Sequence, residues 1–501
     1  PAAHSFLSTP PSMPAYVAVD LGASGGRVML GRVADGRVSL EVAHRFANIP
    51  YRATGHERWP LATLLAEVRN GLTRVGHAAD DLVSVGVATW GVDFGLLDAS
   101  GRVLDDPVCY RDRRTAGVVD RVLDIVPAPE LFRRTGSQVL ALNTVYQMVA
   151  QRDAGEWPVD AARLLMMPDL VHQDLCGSVV GEVTMASTTQ LADASTRRWS
   201  PELFERLGLP MAVMPDLVQP GTRLGHLHHD VREAAGLPEM TVVAPATHDT
   251  ASAVVGTPVD EGWAYLSSGT WSLLGVETAA PVLTEAVRAV NLTNEGGAEG
   301  TNRLLKNIAG MWILESCRRA WAAAGTPVAL DALDLAIASA PARQAFIPPD
   351  ASPFFNPPDM PAAVTAFLGE SGQRLPDDLG GFARVILESL ALRYATVISE
   401  IEQATGQSIR GIRIIGGGSQ NRFLNQATAD ATGREVRAGP VEATALGNVI
   451  VQAIADGRFG SVAEARRAVA RDEAGEAYEP RDPDAWAEAR ARYAQLEADL
   501  A

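Results

Sequence analysis

Along the chain, apolar and polar residues first fall into a strand pattern at Val17-Ala-Val-Asp-Leu-Gly-Ala-Ser-Gly-Gly-Arg27. An apolar strand meets a turn of small residues, and a second apolar strand follows from Val28 to Val33. The same order returns at Trp263-Ala-Tyr-Leu-Ser-Ser-Gly-Thr-Trp271, which runs into Leu273 to Val276. Such a repeat predicts two related lobes, each opening on a hairpin. Between them, Thr247-His-Asp-Thr-Ala-Ser252 places a carboxylate, Asp249, where it would face whatever the two turns hold.

Strands alternate with helical patterns along the remainder, which places the chain in the α/β class. Residues 1–14, with four prolines and no periodicity, predict a disordered tail. Extended segments over 16–46, divided by small-residue turns at 23–26 and 34–36, predict a meander. A helix is expected over 60–77, opened by Pro60, with Leu61, Leu64, Leu65, Val68, Leu72 and Val75 at helical spacing. Residues 83–89 read as a buried strand ending in Trp90-Gly-Val-Asp93, and open α/β sheets bind ligands at such carboxyl ends. Helices over 111–126, 143–153 and 168–177 are expected to cover the first lobe's cleft. A short strand at 241–246 delivers His248 and Asp249, and the lobes divide after it, into 15–255 and 256–501.

In the second lobe, 291–300 reads as a Gly/Asn loop and 309–324 as a helix. Residues 341–361, with seven prolines, read as irregular surface, and 379–405 as the longest helix, stopped by Gly406. Strand 412–415 runs into Gly416-Gly-Gly-Ser-Gln-Asn421 and a helix to about Ala431. A strand, a glycine turn and a helix start form a phosphate signature, because glycines let the backbone approach a ligand at the helix's positive end. Helices over 441–455, 461–470 and 484–500 complete the chain.

Composition narrows the partners. With 47% hydrophobic and 21% charged residues, the 501-residue chain reads as a soluble globular protein. It has no apolar run of the ~18 residues that cross a bilayer and no signal-peptide pattern, so no membrane contact and a cytoplasmic location are expected. A formal charge of −17, from 43 basic and 60 acidic residues, argues against nucleic acid. A nucleotide can still bind, since backbone N–H groups in Gly-rich turns supply local positive potential. Cys109, Cys176 and Cys317 are widely spaced and predict reduced, mostly buried thiols rather than disulfides or a zinc site. None of these features sets an oligomeric state.

Taken singly, the motifs are common chemistry. Asp-Leu-Gly at Asp20 more often orients a turn than binds a metal, and a His-Asp pair such as His248-Asp249 is more often a satisfied loop pair. The triple glycine packs helices as often as it binds phosphate, and Trp90 and Trp271 read as cleft walls or core. Their order, however, is the one a two-lobed ATP-dependent phosphotransferase needs: hairpin, loop, carboxylate, second hairpin, glycine turn.

Asp20-Leu-Gly-Ala-Ser-Gly-Gly-Arg27, Thr89-Trp-Gly-Val-Asp-Phe94, Thr247-His-Asp-Thr-Ala-Ser252, Leu266-Ser-Ser-Gly-Thr-Trp-Ser272, Asn294-Glu-Gly-Gly-Ala-Glu-Gly300 and Gly416-Gly-Gly-Ser-Gln-Asn421 together resemble the FGGY carbohydrate kinases, and within them the rhamnulokinase branch. The match runs from about Tyr16 to Gly457. It implies two ribonuclease-H-like lobes of the actin-type ATPase architecture, with sugar and nucleotide in the cleft between them. The implied reaction is ATP plus L-rhamnulose giving ADP and L-rhamnulose 1-phosphate, in L-rhamnose breakdown, with Mg2+.

Carried over by motif, Ala23, Ser24, Gly25, Gly26 and Arg27 form the first phosphate loop, Thr270 contacts ATP from the second, and Gly417 lies under the nucleotide. Gly91, His248, Asp249, Thr250 and Asn307 line the sugar site, Asp249 acts as general base, and Asp20 sits near the magnesium, often through water. Glu315 stands where relatives can carry Gln as an ATP contact. A carboxylate cannot donate an N–H, so its contact is expected to run through water or not to form. Rival readings are another ketose or polyol kinase, such as a fuculokinase or xylulokinase, and a non-catalytic sugar or ATP sensor or a chaperone-type ATPase of the same fold.

Overall fold

The computed structural model describes residues 13–34, 36–470 and 475–500. The tail expected over 1–14 lies outside them apart from Met13 and Pro14, as does Asp35 in the expected turn at 34–36.

Strand Ala15–Gly22 is buried along almost its whole length, which requires cover on both faces. It pairs antiparallel with Gly25–Ala34 and parallel with Leu82–Thr89. The six-stranded sheet runs in space Arg223–His226, Thr241–Val243, Leu82–Thr89, Ala15–Gly22, Gly25–Ala34, Arg37–Ala47. Helix Leu61–Gly76 covers one face with Leu61, Leu64, Val68, Leu72 and Val75, the stripe its spacing predicts. Helix Ala443–Ala455, from far along the chain, covers the other with Leu446, Val449 and Ile450 against Tyr16, Ala18 and Met29.

The second sheet repeats this plan. Trp263–Ser268 pairs antiparallel with Trp271–Thr278 and parallel with Gly411–Ile415. Its seven strands run Thr293–Gly296, Asn302–Ala309, Trp271–Thr278, Trp263–Ser268, Gly411–Ile415, Glu435–Ala438, Glu476–Tyr478. Both lobes therefore set a hairpin, two parallel strands and an antiparallel edge in one order. Helix Leu379–Thr405 packs beside this sheet, started by the Asp378 side chain, which accepts from Gly381 N, and stopped at Gly406, whose φ of 71° is left-handed. A third apolar cluster, around Val122, Leu131, Tyr146, Leu164 and Phe204, belongs to the insertion in the first lobe. Among the described residues, no helix is long and apolar enough to cross a membrane.

Two helices join the lobes. Asp249–Val255 follows the first lobe's strand Thr241–Val243, as Ala443–Ala455 follows Glu435–Ala438, and the two cross in direct backbone contact. A Cβ added at Gly447 would overlap the Ser252 carbonyl oxygen, and one at Gly256 would overlap the Ala443 carbonyl oxygen. Polar side chains then tie the crossing to the first sheet. Asn448 Nδ2 donates to Gly86 O at 3.0 Å, Gln452 Nε2 to Val17 O at 2.9 Å, and Ser84 Oγ to Gln452 Oε1 at 2.7 Å, all buried.

The structure departs from the expected elements in several places. The helix expected over 111–126 is a 3-10 turn Arg113–Thr115, started by the Asp112 carboxylate, and a separate helix Val118–Ile125, because Gly117 between them is left-handed with φ of 70°. The loop expected over 291–300 contains strand Thr293–Gly296, buried at all four residues through its pairing with Asn302–Ala309. That partner strand fills residues the apolar pattern left unread, so the helix expected from 309 begins at Trp312. Segment 341–361 is irregular apart from the turn Ser352–Phe354 and the first residues of helix Met360–Glu370. That helix and Leu330–Ser339 were not expected. All three cysteines are free.

Gly447→Ala should destabilise the protein by about 1–3 kcal/mol, the usual result of overpacking, because the methyl group meets backbone that cannot rotate away. Gly369→Ala, in an exposed helix position with open space around it, should be neutral or mildly stabilising. Thermal unfolding of the two variants distinguishes a tight crossing from a loose one: equal melting temperatures would mean that the helices part at no cost.

Candidate active site

Each hairpin turn projects into the space between the lobes. In the first, Gly22 and Gly25 pair across the turn Ala23-Ser24, and Asn48 braces it by donating twice, N to Ser24 O at 3.2 Å and Nδ2 to Gly22 O at 3.1 Å. In the second, Gly269 N donates to Trp271 O at 2.8 Å, and Trp312 N, at the start of the next helix, donates to Thr270 O at 3.2 Å. The triple glycine closes the third side. Gly416 has φ of 80°, Gly418 packs so tightly on Ser268 that no side chain fits, and Gly417 has open space where its side chain would be. Backbone is thereby left accessible to a ligand at the middle glycine.

Asp249 opens the helix Asp249–Val255, with about 28% of its side chain exposed. Its Oδ1 accepts from Thr250 N at 2.5 Å and from Thr250 Oγ1 at 3.1 Å. Burial raises its pKa above the ordinary aspartate value, against the opposing pull of His248, the Thr250 hydrogen bonds and Arg303. The segment before it is clamped by Glu182, a buried carboxylate that accepts from Thr247 N at 2.9 Å, Thr247 Oγ1 at 2.8 Å, Thr184 N at 2.8 Å, and Thr184 Oγ1. Thr184 Oγ1 in turn lies 3.3 Å from His248 N. Across the ring of His248, Nε2 is 3.5 Å from Asp249 Oδ1, and Nδ1 faces Glu295 and Arg303.

The far wall is aromatic and depends on Asp93. This fully buried carboxylate accepts from Trp59 Nε1 at 2.6 Å, Trp90 Nε1 at 2.9 Å, Tyr110 N at 3.2 Å and Gln147 Nε2 at 3.0 Å. Burial pushes its pKa up to about 6 in spite of these donors. Next to it, Val92 takes a left-handed φ of 70°, costly for a β-branched residue. The strain is held by Thr188 Oγ1, which accepts from Val92 N at 3.2 Å, and by Thr144 Oγ1, which donates to Val92 O at 2.7 Å.

These walls enclose a cavity of about 360 Å3, within the range of small-ligand sites. Of the residues singled out from the sequence, Asp20, Ala23, Ser24, Gly25, Arg27, Gly91, His248, Asp249, Thr250, Thr270, Asn307 and Gly417 all line it. Gly26 and Glu315 do not. Gly26 lies in strand Gly25–Ala34 under the Phe46 ring, and Glu315 is half-exposed on helix Trp312–Ala323, ion-paired with Arg318 at 2.7 Å. Arg27 lines the cavity with its guanidinium already bonded to Glu442 from the other lobe.

The sequence reading missed a polar wall from the insertion: Ser137, Gln138, Asn143, Ser187 and Thr188. Gln138 Oε1 accepts from Asn307 N at 3.0 Å and Asn307 Nδ2 at 3.3 Å, fixing that side chain from across the cleft. The run of small polar residues Ser187-Thr-Thr-Gln190, in an otherwise apolar stretch, was the available signal.

Asp20 is nearly buried, and burial raises its pKa to about 7, helped by Asp249 and Glu442 and opposed by Arg27, whose Nε is 4.0 Å away. The pocket beside the first turn thus holds more carboxylate charge than cation. Among the described residues, no group of three or more His, Cys, Asp or Glu side chains is arranged to hold a metal. One or two carboxylates beside turns with accessible backbone fit magnesium, which keeps much of its water, and do not fit an all-protein metal cage.

Comparison with known proteins agrees with this geometry. Residues 15–256 match the N-terminal domain of the FGGY family of carbohydrate kinases, and residues 264–455 match its C-terminal domain. The rhamnulokinase of Bacteroides thetaiotaomicron is 42% identical over 473 residues, covering 94% of this chain and 97% of the relative. That of Enterococcus faecalis is 41% identical over 458 residues, covering 91% and 92%. Among solved structures, the gluconate kinase from Lactobacillus acidophilus superposes with a TM-score of 0.80 at 14% identity, over 98% of each chain. The expected two-lobed α/β fold of the actin and sugar-kinase type is borne out.

Asp93→Ala should lower stability by about 1–3 kcal/mol, since two buried indole N–H groups lose their acceptor. Because burial raises the Asp93 carboxyl to about 6, the wild-type protein should lose stability relative to the variant as pH rises from about 4 to that value. Above it the difference should be constant. Chemical unfolding at several pH values checks both; a gap that widens with rising pH would show that the carboxylate is stabilised where it sits.

Proposed function

We propose L-rhamnulose as the sugar, ATP as the phosphoryl donor and Mg2+ as the cofactor of this chain, which belongs to the FGGY family of carbohydrate kinases. The product is L-rhamnulose 1-phosphate. The observation that carries the reading is the carboxylate of Asp249, held at a helix start in a cleft between two hairpin turns and a triple-glycine turn. The identity of the sugar is supported by the rhamnulokinases that share about two residues in five with this chain over nine-tenths of its length.

Gly91, His248 and Thr250 from the first lobe and Asn307 from the second bind the sugar, with Asn307 oriented by Gln138. The Ala23–Gly25 turn and Thr270 of the second turn receive the phosphates, and Gly417 leaves room for the nucleotide. Asp249 takes the proton from the sugar hydroxyl as that oxygen bonds to the γ-phosphorus and the bond to ADP breaks. Its pKa, raised by burial, suits a base, since such a carboxylate holds the proton better than an ordinary one. Asp20, through water, would hold the magnesium, which when bound neutralises charge on the transferring phosphoryl group. The aromatic wall of Trp90, Tyr110 and Trp271 excludes water, which would otherwise compete with the sugar hydroxyl.

ADP release over a panel of ketoses and polyols tests the substrate. L-rhamnulose should give the highest kcat/KM, and a lead of roughly tenfold or more for L-fuculose, D-xylulose or glycerol would overturn the sugar while leaving the kinase.

Asp249→Asn keeps shape and one acceptor but cannot take a proton, so kcat should fall by about 10²- to 10⁴-fold with sugar affinity largely kept. Turnover at saturation, with affinity measured by calorimetry, is the check. A variant retaining more than about a tenth of wild-type turnover would remove Asp249 from the base role.

A further inference from the structure

Behind the sugar side of the cleft lies a buried ion pair that the reaction as described does not use. Arg303, wholly buried and absent from the cavity lining, stands opposite Glu295 in the antiparallel pairing of Thr293–Gly296 with Asn302–Ala309. Its Nη2 is 3.0 Å from Glu295 Oε2, and its Nε donates to Gly296 O at 3.0 Å. Burying such a pair generally gains little stability and is often costly, so its position next to a functional side chain is informative.

That side chain is His248. Its Nδ1 lies 3.1 Å from Arg303 Nη2 and 3.3 Å from Glu295 Oε2. The two neighbours make opposite demands. A guanidinium N–H can only donate, so the Arg303 contact needs a lone pair on Nδ1; the carboxylate can only accept, so it asks for a hydrogen there. The costs are unequal. With hydrogen on Nδ1, two donors face each other at 3.1 Å where no water can intervene. With a lone pair on Nδ1, Glu295 keeps its compensation, because Arg303 remains 3.0 Å from Oε2. The carboxylate is held below the ordinary range in spite of its burial, chiefly by Arg303.

We propose that Arg303 is a positioning residue that fixes His248 as the neutral tautomer with its hydrogen on Nε2. The donor then points to the cleft side, where Nε2 lies 3.5 Å from Asp249 Oδ1. Two consequences follow for the reaction proposed above, on which they rest. The base has a neutral donor beside it and stays a competent acceptor, and the incoming sugar meets an N–H on His248 rather than a lone pair. The reverse tautomer would present a lone pair to both the carboxylate and the sugar oxygens. Glu295 serves to neutralise the guanidinium, so that the field at Asp249 is that of an ion pair and not of an isolated cation.

The tautomer can be read without sugar or nucleotide. In protein labelled with 15N-histidine, long-range 1H–15N correlation spectra show nine imidazoles, and His248→Asn identifies the signal. The wild-type protein at neutral pH should show His248 with hydrogen on Nε2 and a hydrogen-bonded, unprotonated Nδ1. The double variant Glu295→Gln with Arg303→Met removes both charges together, so that neither is left alone. In it His248 should move to hydrogen on Nδ1 or to a mixture, while Glu295→Gln alone, with the guanidinium retained, should keep the wild-type signature. For the double variant, kcat/KM for L-rhamnulose should fall by roughly tenfold or more with KM for ATP little changed. Hydrogen on Nδ1 in the wild-type protein, a doubly protonated ring, or an unchanged tautomer in the double variant would each overturn the proposal. The wild-type spectrum decides even if the variant does not fold. A different best sugar in the kinetic panel would refute the substrate and leave the tautomer standing.

Discussion

The backbone contact between Ser252 and Gly447 is the constraint on which the rest of the molecule depends. Each lobe sends a helix from its sheet to pack against the other, and the two meet at Gly447 and Gly256, where no side chain fits. Asp249 is three residues before Ser252, and Thr444 is three before Gly447, so both helix starts are referred to one point. Thr444 Oγ1 reaches Asp249 O at 3.3 Å, and Ser252 Oγ bonds Ala246 O at 2.7 Å, so the loop bearing the carboxylate is tied to both sides of the crossing. A larger residue at the contact would displace Asp249 relative to both hairpin turns together.

Charge in the cleft is arranged on the same principle of fixed position before compensation. Asp20, Asp93, Glu182 and Asp249 are all raised by burial, since water is withdrawn from each before a cation is supplied. Glu295 is the exception, lowered because Arg303 sits beside it. The carboxylates divide by what they hold. Glu182 fixes the main chain at Thr247 and Asp93 fixes the indole of Trp90, each through N–H donors. Asp249 has donors from Thr250 alone, on one oxygen, and Asp20 has Arg27 at 4.0 Å; both carboxylates face the cavity. An arrangement that spends its donors on supporting carboxylates and leaves two others poorly compensated is poised for a cationic or proton-bearing ligand.

Much of the cleft was legible because its turns are local. A hairpin is written in adjacent residues, and the two glycine- and serine-rich turns, the Trp90 loop and the triple glycine could be read in place. The long helix Leu379–Thr405 was equally plain, since its apolar period and its terminal Gly406 lie within one segment. What could not be read was the partner of each motif. Glu182 lies 65 residues from the Thr247 it holds, and Gln138 lies 169 from Asn307. Strand Thr293–Gly296 has poor strand residues, Asn, Glu and Gly among them, and is extended only because Asn302–Ala309 pairs with it. The helix expected over 111–126 failed for a local reason that the apolar pattern hid, the left-handed Gly117.

The insertion of the first lobe completes a cavity that the two lobes alone would leave open. Gly136 O accepts from Asn294 N at 2.8 Å, Val139 N donates to Asn291 Oδ1 at 3.0 Å, and Gln138 grips Asn307, so one short segment of the insertion docks along the second lobe's edge strand. That edge would otherwise present unpaired backbone groups. Covering it with a polar segment satisfies them and carries Ser137 and Gln138 into the cavity in the same step. On the function proposed, the phosphate side is shaped by main chain, whose geometry is the same for any nucleoside triphosphate. The side proposed for the sugar is shaped by side chains from both lobes, each oriented by a second residue: Asn307 by Gln138, Trp90 by Asp93, His248 by Arg303. Discrimination between ketoses that differ at one hydroxyl requires donors and acceptors that do not rotate to suit, and those second residues are what prevent the rotation.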